Sequence, residues 1–281
     1  MFVSQMDRLG RYYGKQQGDA ISYINGKIGD HNVVVCYMPG MGTRTTRIEL
    51  ALVVGICGGA QSPPDYREIF LGDVTIKRLA SGTLWAGQFQ RFGLFLNGLR
   101  AAKARDELQT QVLQYLQEGT TGCNYPQASD VLYKAAYLHK HYGRVPSIRC
   151  CCSEGDAPDR ICEAAVERSL DDLGCYPSQI IHWQEPFESN ISVYIGTVAS
   201  GNMVIKSGQY RDTIAGKEEI IGFKMEGAGV WDHVTCLTIK TVCDYTDSPK
   251  NKSWQAYAAA TGTSAAKAFL ENWRPVKQEG Y

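Results

Sequence analysis

The apolar residues of this chain fall into continuous runs, which predict buried strands, and into spaced stripes, which predict amphipathic helices. Strands are predicted at 31–38, 50–54, 191–198 and 235–243. Helices are predicted at 103–118, 159–173, 224–233 and from Ser248-Pro249 onward. The runs at 31–38 and 50–54 do not alternate with polar residues, so we expect them to be covered on both faces, in a mostly parallel sheet between helix layers.

The segment 21–38 is expected to form a hairpin with turns at Asn25-Gly26 and Gly29-Asp30. Beyond it, only seven residues, Thr43 to Glu49, separate Gly42 from Leu50. A crossover between parallel strands takes roughly a dozen residues or more. Either the two flanking strands are not parallel neighbours or a crossover helix is missing, and we favour the missing helix.

Charge and composition exclude several classes of function. The 281 residues carry 29 basic and 29 acidic side chains, a formal net charge of +0, so no basic surface for nucleic acid is expected. The densest apolar stretch, Leu50 to Ala60, is too short to span a bilayer. No linker or repeat divides the chain, which we interpret as one domain over residues 1–281. Ten cysteines and the lack of an apolar leader predict a reduced protein of the cytosol or the nucleus, and we expect a cytoplasmic protein.

The spacing of the cysteines argues against a metal site. Cys150, Cys151 and Cys152 are adjacent, with Cys162 and Cys175 further along the chain. Structural zinc sites instead use pairs of ligands spaced as C-x₂₋₄-C, which can converge on one tetrahedral ion. We therefore predict buried thiols, no metal and no organic cofactor.

Glycine-bearing strand ends are predicted to meet at one edge of the sheet, at 40–42, 55–59, 196–201 and beside Asp244. Glycines let backbone N–H groups approach a flat base or an anion closely. Glu226 is a carboxylate acceptor that can take both hydrogens of a sugar cis-diol. Asp244 follows a buried strand and is suited to protonate a leaving purine nitrogen. Departure of the base would leave a ribosyl cation for water or phosphate to capture.

Ordered motifs at these positions carry a family resemblance. Downstream they are GTVASG at 196–201, MEGAG at 225–229 and CDYTDS at 243–248. Upstream they are GDHNVV at 29–34, MPGMG at 38–42, VGICGG at 54–59 and LGDV at 71–74. With these motifs the chain resembles the nucleoside phosphorylase/nucleosidase superfamily, and within it the fungal nucleoside-hydrolase-like branch.

The resemblance implies a three-layer α/β/α sandwich around a mixed, mostly parallel sheet. It implies an enzyme that cleaves the N-glycosidic bond of purine nucleosides with water or phosphate, and that assembles as a homo-oligomer. Met225 and Glu226 would hold the ribose, and Asp244 would be the catalytic residue at the purine. The remaining residues expected at the substrate are Gly42, Cys57, Gly58 and Phe223.

The chain departs from the family pattern in ways that favour a second interpretation. It begins after the strand that normally opens the fold, so it is expected to be truncated. Lys224 stands where an acidic residue is usual, which would place a cation beside the sugar. The alternative function is therefore a catalytically silent nucleoside-binding or scaffold domain.

Overall fold

The computed structural model describes residues 7–8, 22–37, 50–60, 68–79, 93–119, 124–126, 130–137, 174–181, 190–201, 205, 207–224, 236–247 and 252–273. Its strands are β1 (Asp7–Arg8), β2 (Ser22–Ile28), β3 (His31–Tyr37), β4 (Ala51–Gly59), β5 (Val74–Leu79), β6 (Leu132–Tyr133), β7 (Ile180–Ile181), β8 (Val193–Ile195), β9 (Thr197–Ser200), β10 (Ile220–Lys224) and β11 (Cys236–Asp244). Its α-helices are α1 (Ala102–Gly119), α2 (Gly208–Glu218) and α3 (Gln255–Asn272). Residues 93–98 are also helical, and 3₁₀ turns cover Pro177–Gln179 and Lys252–Trp254.

The main sheet has six strands in the order β8-β5-β11-β4-β10-β9. The pairs β8–β5, β11–β4 and β10–β9 are parallel. The pairs β5–β11 and β4–β10 are antiparallel. The predicted fold class, an α/β protein with a mixed and mostly parallel sheet, is confirmed.

This sheet curls so that its two edge strands, β8 and β9, are consecutive in the sequence. The predicted strand 191–198 is split into β8 and β9, which lie at opposite ends of the strand order and are separated by Gly196 alone. The Gly196 N–H donates to the Ile76 carbonyl at 3.2 Å, and Lys77 Nζ donates to the Val198 carbonyl at 2.7 Å. A Cβ on Gly196 would lie 2.9 Å from Ile221 Cδ1, so this bend requires glycine. The sheet is therefore a curled half-barrel rather than a flat layer.

Helix α3 packs on strands β4 and β11, and helix α1 packs on α3. The predicted stripe on α1 is confirmed, since Leu108, Val112 and Leu116 are its buried residues. Helix α3 presents small residues to the sheet, and a Cβ on its Gly262 would lie 3.1 Å from Thr241 Oγ1. This close approach lets α3 exclude water from β4 and β11, and all nine residues of β11 are buried. Within the described ranges, no helix combines the length and apolarity that a membrane crossing requires.

The predicted hairpin exists but does not belong to the main sheet. Strands β2 and β3 pair from Ser22↔Tyr37 to Ile28↔His31, in a separate sheet with β1. The predicted turn at Asn25-Gly26 is wrong, because both residues lie inside β2. Cover on both faces of β3 is also wrong, since Val34 is 57% exposed. Because β3 and β4 lie in different sheets, the short connection between them requires no crossover helix.

Strand β4 extends five residues beyond its predicted end, through the glycines at 55–59. These glycines serve packing within the sheet rather than a loop. A Cβ on Gly55 would lie 2.8 Å from Lys240 Nζ, and one on Gly59 would lie 2.8 Å from Val242 Cγ1. The bare backbone of β4 thus makes room for the side chains of β11.

Two predicted helix starts are wrong. Lys224 does not open a helix, because it pairs with Ser200 as the last residue of β10. Helix α3 begins at Gln255 after a 3₁₀ turn, rather than at Ser248. Strand β5 and helix α2 were not predicted. The predicted helix at 159–173 lies outside the described residues.

Candidate functional site

Three neighbouring strands bring four of the predicted site residues together. Asp244 at the end of β11 pairs with Gly58 on β4, and Phe223 on β10 pairs with the same glycine. Cys57 precedes Gly58 and pairs with Val242, with an irregularity in register before Asp244. The order β11-β4-β10 therefore places Asp244, Gly58, Cys57 and Phe223 side by side.

The carboxylate of Asp244 is buried and held by local contacts. Asp244 is 7% exposed, and its Oδ1 accepts a hydrogen bond from the Thr246 N–H at 2.9 Å. Its Oδ2 receives a long contact of 3.6 Å from the Cys243 thiol, which is a weak donor. A Cβ on Gly58 would lie 2.8 Å from Asp244 Oδ1 and would collide with Thr246 Oγ1. Glycine at position 58 is therefore a condition for this placement of the carboxylate.

The turn that follows Asp244 has a strained backbone. Thr246 has a φ of 57°, a left-handed conformation that costs a β-branched residue about 1–3 kcal/mol. The Thr246 hydroxyl donates to the Gly59 carbonyl at 3.3 Å, which ties the turn to the end of β4. Such a conformation persists only where surrounding contacts hold it.

A buried arginine from α2 contacts the same turn. Arg211 is 0% exposed, and its Nη1 donates to the Tyr245 carbonyl at 2.6 Å. Its Nε donates to Asp212 Oδ1 at 2.7 Å, and its Nη1 lies 3.9 Å from Asp247 Oδ2. Burial raises the pKa of Asp247 to about 7, with Arg211 opposing that rise and the charge of Asp244 adding to it.

Two further carboxyls, the half-buried Asp130 and the buried Asp73, lie beside the turn. The Tyr245 hydroxyl donates to Asp130 Oδ1 at 2.6 Å, and the Leu71 N–H donates to Asp130 Oδ2 at 2.9 Å. Burial raises the pKa of Asp130 to about 6, although the Tyr245 hydrogen bond lowers it. Burial raises the pKa of Asp73 to about 8, against the opposing hydrogen bonds from the Phe70 and Ser192 N–H groups. The Asp130 carboxyl thus joins the loop before β5 to the turn after β11, and the Asp73 carboxyl joins the same loop to Ser192 before β8.

Cys57 and Phe223 differ in what they present at the site. Burial raises the pKa of the Cys57 thiol to about 12, so it is a neutral thiol near pH 7 and not a nucleophile. Its Sγ lies 3.7 Å from Thr75 Oγ1. The side chain of Phe223 packs with Ala60 and Ala215 in a small apolar cluster beside α2.

Gly42, Met225 and Glu226 lie outside the described residues, so the predicted meeting of Glu226 with Asp244 stays a prediction. Lys224 is 5% exposed, and its Nζ donates to Thr238 Oγ1 at 3.0 Å. Its ammonium therefore contacts a side chain of β11.

The residues that fix the turn were not selected from the sequence. Thr246 and Asp247 lie within the CDYTDS motif, but the sequence pattern assigns them no role at the site and suggests Asp247 only as a helix cap. Arg211 and Asp130 are distant in sequence from that motif, and no local periodicity marks them. Only the tertiary structure brings their side chains to the turn that follows Asp244.

A separate cavity of about 1200 Å³ lies between β8, the helical residues 93–98 and α1. Its lining includes Lys77, Arg100 and Tyr194, but not Asp244 or Gly58. In the part of the chain that the structure describes, no group of three or more His, Cys, Asp or Glu side chains could hold a metal ion. The cysteine run 150–152 lies outside that part.

Comparisons with known proteins point in two directions. No protein-family model matches the chain. A nucleotide-binding leucine-rich repeat (NLR)-like protein of Hyaloscypha variabilis is 28% identical over 304 aligned positions. The match covers 95% of this chain but only 27% of that protein, so the chain spans about a quarter of its length.

Among solved structures, the chain is similar to nucleosidases. The 5'-methylthioadenosine/S-adenosylhomocysteine nucleosidase of Neisseria meningitidis is 15% identical with a TM-score of 0.45, covering 96% of this chain and 92% of that one. The S-adenosylhomocysteine nucleosidase of Streptococcus pyogenes is 14% identical with a TM-score of 0.45, covering 98% and 91%. The futalosine hydrolase of Helicobacter pylori is 12% identical with a TM-score of 0.42, covering 95% and 89%. At these TM-scores, the case for the site depends on the chain's own residues.

Proposed function

We propose that this chain cleaves the N-glycosidic bond of purine nucleosides, with Asp244 as the acid that protonates the leaving base. The observation that carries the proposal is the position of Asp244. Its buried carboxylate lies against the bare backbone of Gly58, at the end of a fully buried strand. The family resemblance of the CDYTDS and MEGAG motifs supports the same assignment.

The chemistry divides between the two oxygens of Asp244. Oδ1 accepts the Thr246 N–H, which fixes the plane of the carboxyl group. Oδ2 has the Cys243 thiol at 3.6 Å, a weak contact that a purine ring nitrogen can replace as the acceptor of a proton carried on Oδ2. A proton delivered from Oδ2 to the purine would neutralise the leaving base as the glycosidic bond breaks. Water or phosphate would then capture the ribosyl cation, and Met225 and Glu226 are proposed to hold the sugar.

The remaining assignments belong to the same proposal. Cys57 and Gly58 would line the base pocket, since they adjoin Asp244 on β4. Gly42 and Phe223 would complete the substrate site. No organic cofactor takes part in the proposed reaction, and a homo-oligomer is the proposed assembly.

Incubation of the purified protein with inosine, adenosine and guanosine, each with and without phosphate, tests the function. Release of free base without phosphate indicates hydrolysis, and release that requires phosphate indicates phosphorolysis. If no free base forms with any of the three nucleosides under either condition, the proposed activity is contradicted.

The second candidate is a silent nucleoside-binding domain within a larger protein. It is favoured by the match to an NLR-like protein, of which the chain covers 27%. In this proposal the chain is a sensor that binds a nucleoside without turning it over. Isothermal titration calorimetry with the same nucleosides separates the two candidates. Binding without base release supports the sensor, and base release excludes a silent domain.

A further inference from the structure

Arg211 is unusual because it is an arginine that is fully buried. It lies on α2 with 0% of its surface exposed. An arginine that is removed from water must use its N–H groups on acceptors, because a buried guanidinium without partners is strongly unfavourable. The hydrogen-bond acceptors of its N–H groups therefore show which part of the structure Arg211 stabilises.

Its contacts connect α2 to the segment that follows β11. Nη1 donates to the Tyr245 carbonyl at 2.6 Å and lies 3.9 Å from Asp247 Oδ2. Tyr245 and Asp247 flank Thr246, the residue with φ of 57°. The guanidinium thus holds the backbone on one side of the strained residue and faces the carboxylate on the other.

The strained residue in turn fixes the carboxylate of Asp244. The Thr246 N–H donates to Asp244 Oδ1 at 2.9 Å, and the direction of that N–H follows from the backbone angles of the turn. The Tyr245 carbonyl and the Thr246 N–H belong to one peptide plane, so a rotation of that plane away from Arg211 would also turn the N–H away from Oδ1. The chain of contacts runs from Arg211 through Tyr245 and Thr246 to Asp244.

We infer that Arg211 is a positioning residue that sets the orientation of the Asp244 carboxylate by holding the 244–247 turn in its strained form. The inference rests on the proposed function for its catalytic consequence, but the geometric part is testable without it. Arg211 itself lies behind the turn and is assigned no contact with the substrate.

The test compares Arg211→Met, which removes every N–H donor, with Arg211→Lys, which keeps one charged donor. Lys217→Met is the matched control, since Lys217 is an exposed cation on the same helix. Amide hydrogen exchange of Thr246 reports directly on its bond to Asp244, and the amide of Ile239 in β11 serves as an internal reference. Steady-state kinetics for base release give kcat and KM for each variant.

We expect Thr246 to exchange at least tenfold faster in Arg211→Met while Ile239 is unchanged, with an intermediate rate in Arg211→Lys. We expect kcat to fall at least tenfold with KM within twofold of the wild type, and Lys217→Met to match the wild type in every measurement. If Arg211→Met does not fold, Arg211→Lys decides by the same criteria.

Unchanged exchange of Thr246 in the folded Arg211 variants would overturn the inference whatever the kinetics show. A lower kcat with unchanged Thr246 exchange would also overturn it, because the effect would not pass through the turn. If the wild type releases no base but Thr246 loses protection in the variants, the proposed function fails and the positioning of Asp244 by Arg211 stands.

Discussion

Gly58 and Asp244 approach so closely that the smallest side chain at position 58 would displace the carboxylate. A Cβ there would lie 2.8 Å from Asp244 Oδ1 and would also collide with Thr246 Oγ1. Both neighbours belong to the turn at the end of β11, which the Asp244, Thr246 and Arg211 contacts already constrain. The glycine of one strand and the acid of the next therefore form a single structural unit.

Gly58→Ala should reduce base release more than it reduces the stability of the fold. We expect at least a tenfold loss of base release, together with a loss of about 1–3 kcal/mol in the free energy of unfolding from overpacking. Gly216→Ala on α2 is the control, since a Cβ at Gly216 meets nothing within 4 Å. That control should be neutral or stabilise by about 0.5–1 kcal/mol, as expected for alanine in a helix. Wild-type activity in Gly58→Ala would show that the site tolerates a displaced carboxylate.

The hydrogen bond from Tyr245 to Asp130 should contribute more to the free energy of unfolding at high pH than at low pH. Tyr245→Phe removes a 2.6 Å hydrogen bond to a half-buried carboxyl, which should cost about 1–3 kcal/mol of unfolding free energy. The pKa of Asp130 is about 6, and loss of the hydroxyl should raise it further. The destabilisation should therefore grow between pH 5 and pH 8, as Asp130 ionises in the wild type.

Urea unfolding of Tyr245→Phe at several pH values measures this effect. Tyr210→Phe is the control, because Tyr210 is 52% exposed on α2. Equal destabilisation by Tyr245→Phe at pH 5 and pH 8 would contradict the assigned ionisation of Asp130.

The ionisation of Asp73 should also make the free energy of unfolding depend on pH. Its pKa in the folded protein is about 8, well above the model-peptide value near 3.8, because burial disfavours the charged form. A raised pKa means that the folded state binds the proton more tightly than the unfolded state. The resulting stabilisation is fully present below about pH 4 and is lost as the pH rises through 8.

Comparison of the wild type with Asp73→Asn isolates this contribution. Asparagine places an N–H₂ group against one of the two backbone donors that Asp73 accepts, so the variant should be less stable at pH 5. The difference in unfolding free energy should shrink between pH 5 and pH 8.5. Asp106→Asn on the exposed surface of α1 is the control and should show no such trend. A difference that stays constant across this range would refute the raised pKa of Asp73.

The packing of α1 on the core makes a separate prediction about stability. Leu108 is 2% exposed, and Leu108→Ala should cost about 2–5 kcal/mol of unfolding free energy through lost burial and a cavity. Leu94 is 63% exposed, so Leu94→Ala should change the stability by less than about 0.5 kcal/mol. Similar midpoints of chemical unfolding for the two variants would contradict the assignment of α1 to the core.

Helix α1 and strand β11 are predictable from the sequence because their patterns are local. The stripe of Leu108, Val112 and Leu116 specifies a helix by its spacing alone. The apolar run at 235–243 specifies a buried strand in the same way, and the structure extends it only to Asp244. Strand β10 is less accessible to this reasoning, because Lys224 is polar and yet pairs within the sheet.

The glycines of β4 show why the rest could not be predicted. The local sequence predicts a loop at 55–59. In the folded protein, Gly55 and Gly59 instead leave space within the sheet for the side chains of Lys240 and Val242. The position of Asp244 beside Gly58 was foreseeable from strand ends meeting at one edge. The roles of Arg211 and Asp130 were not, since their contacts with the turn join residues 34 and 115 positions apart.

The turnover of Asp244→Asn tests whether Asp244 is the acid of the reaction. Asparagine keeps the oxygen that accepts the Thr246 N–H but supplies no carboxylic acid, so the variant should fold and melt cooperatively. We predict that it releases free base from inosine, adenosine or guanosine at least a hundredfold more slowly than the wild type, as expected for loss of a general acid. Asp106→Asn should retain full activity. Wild-type turnover by a folded Asp244→Asn would show that Asp244 does not protonate the leaving base.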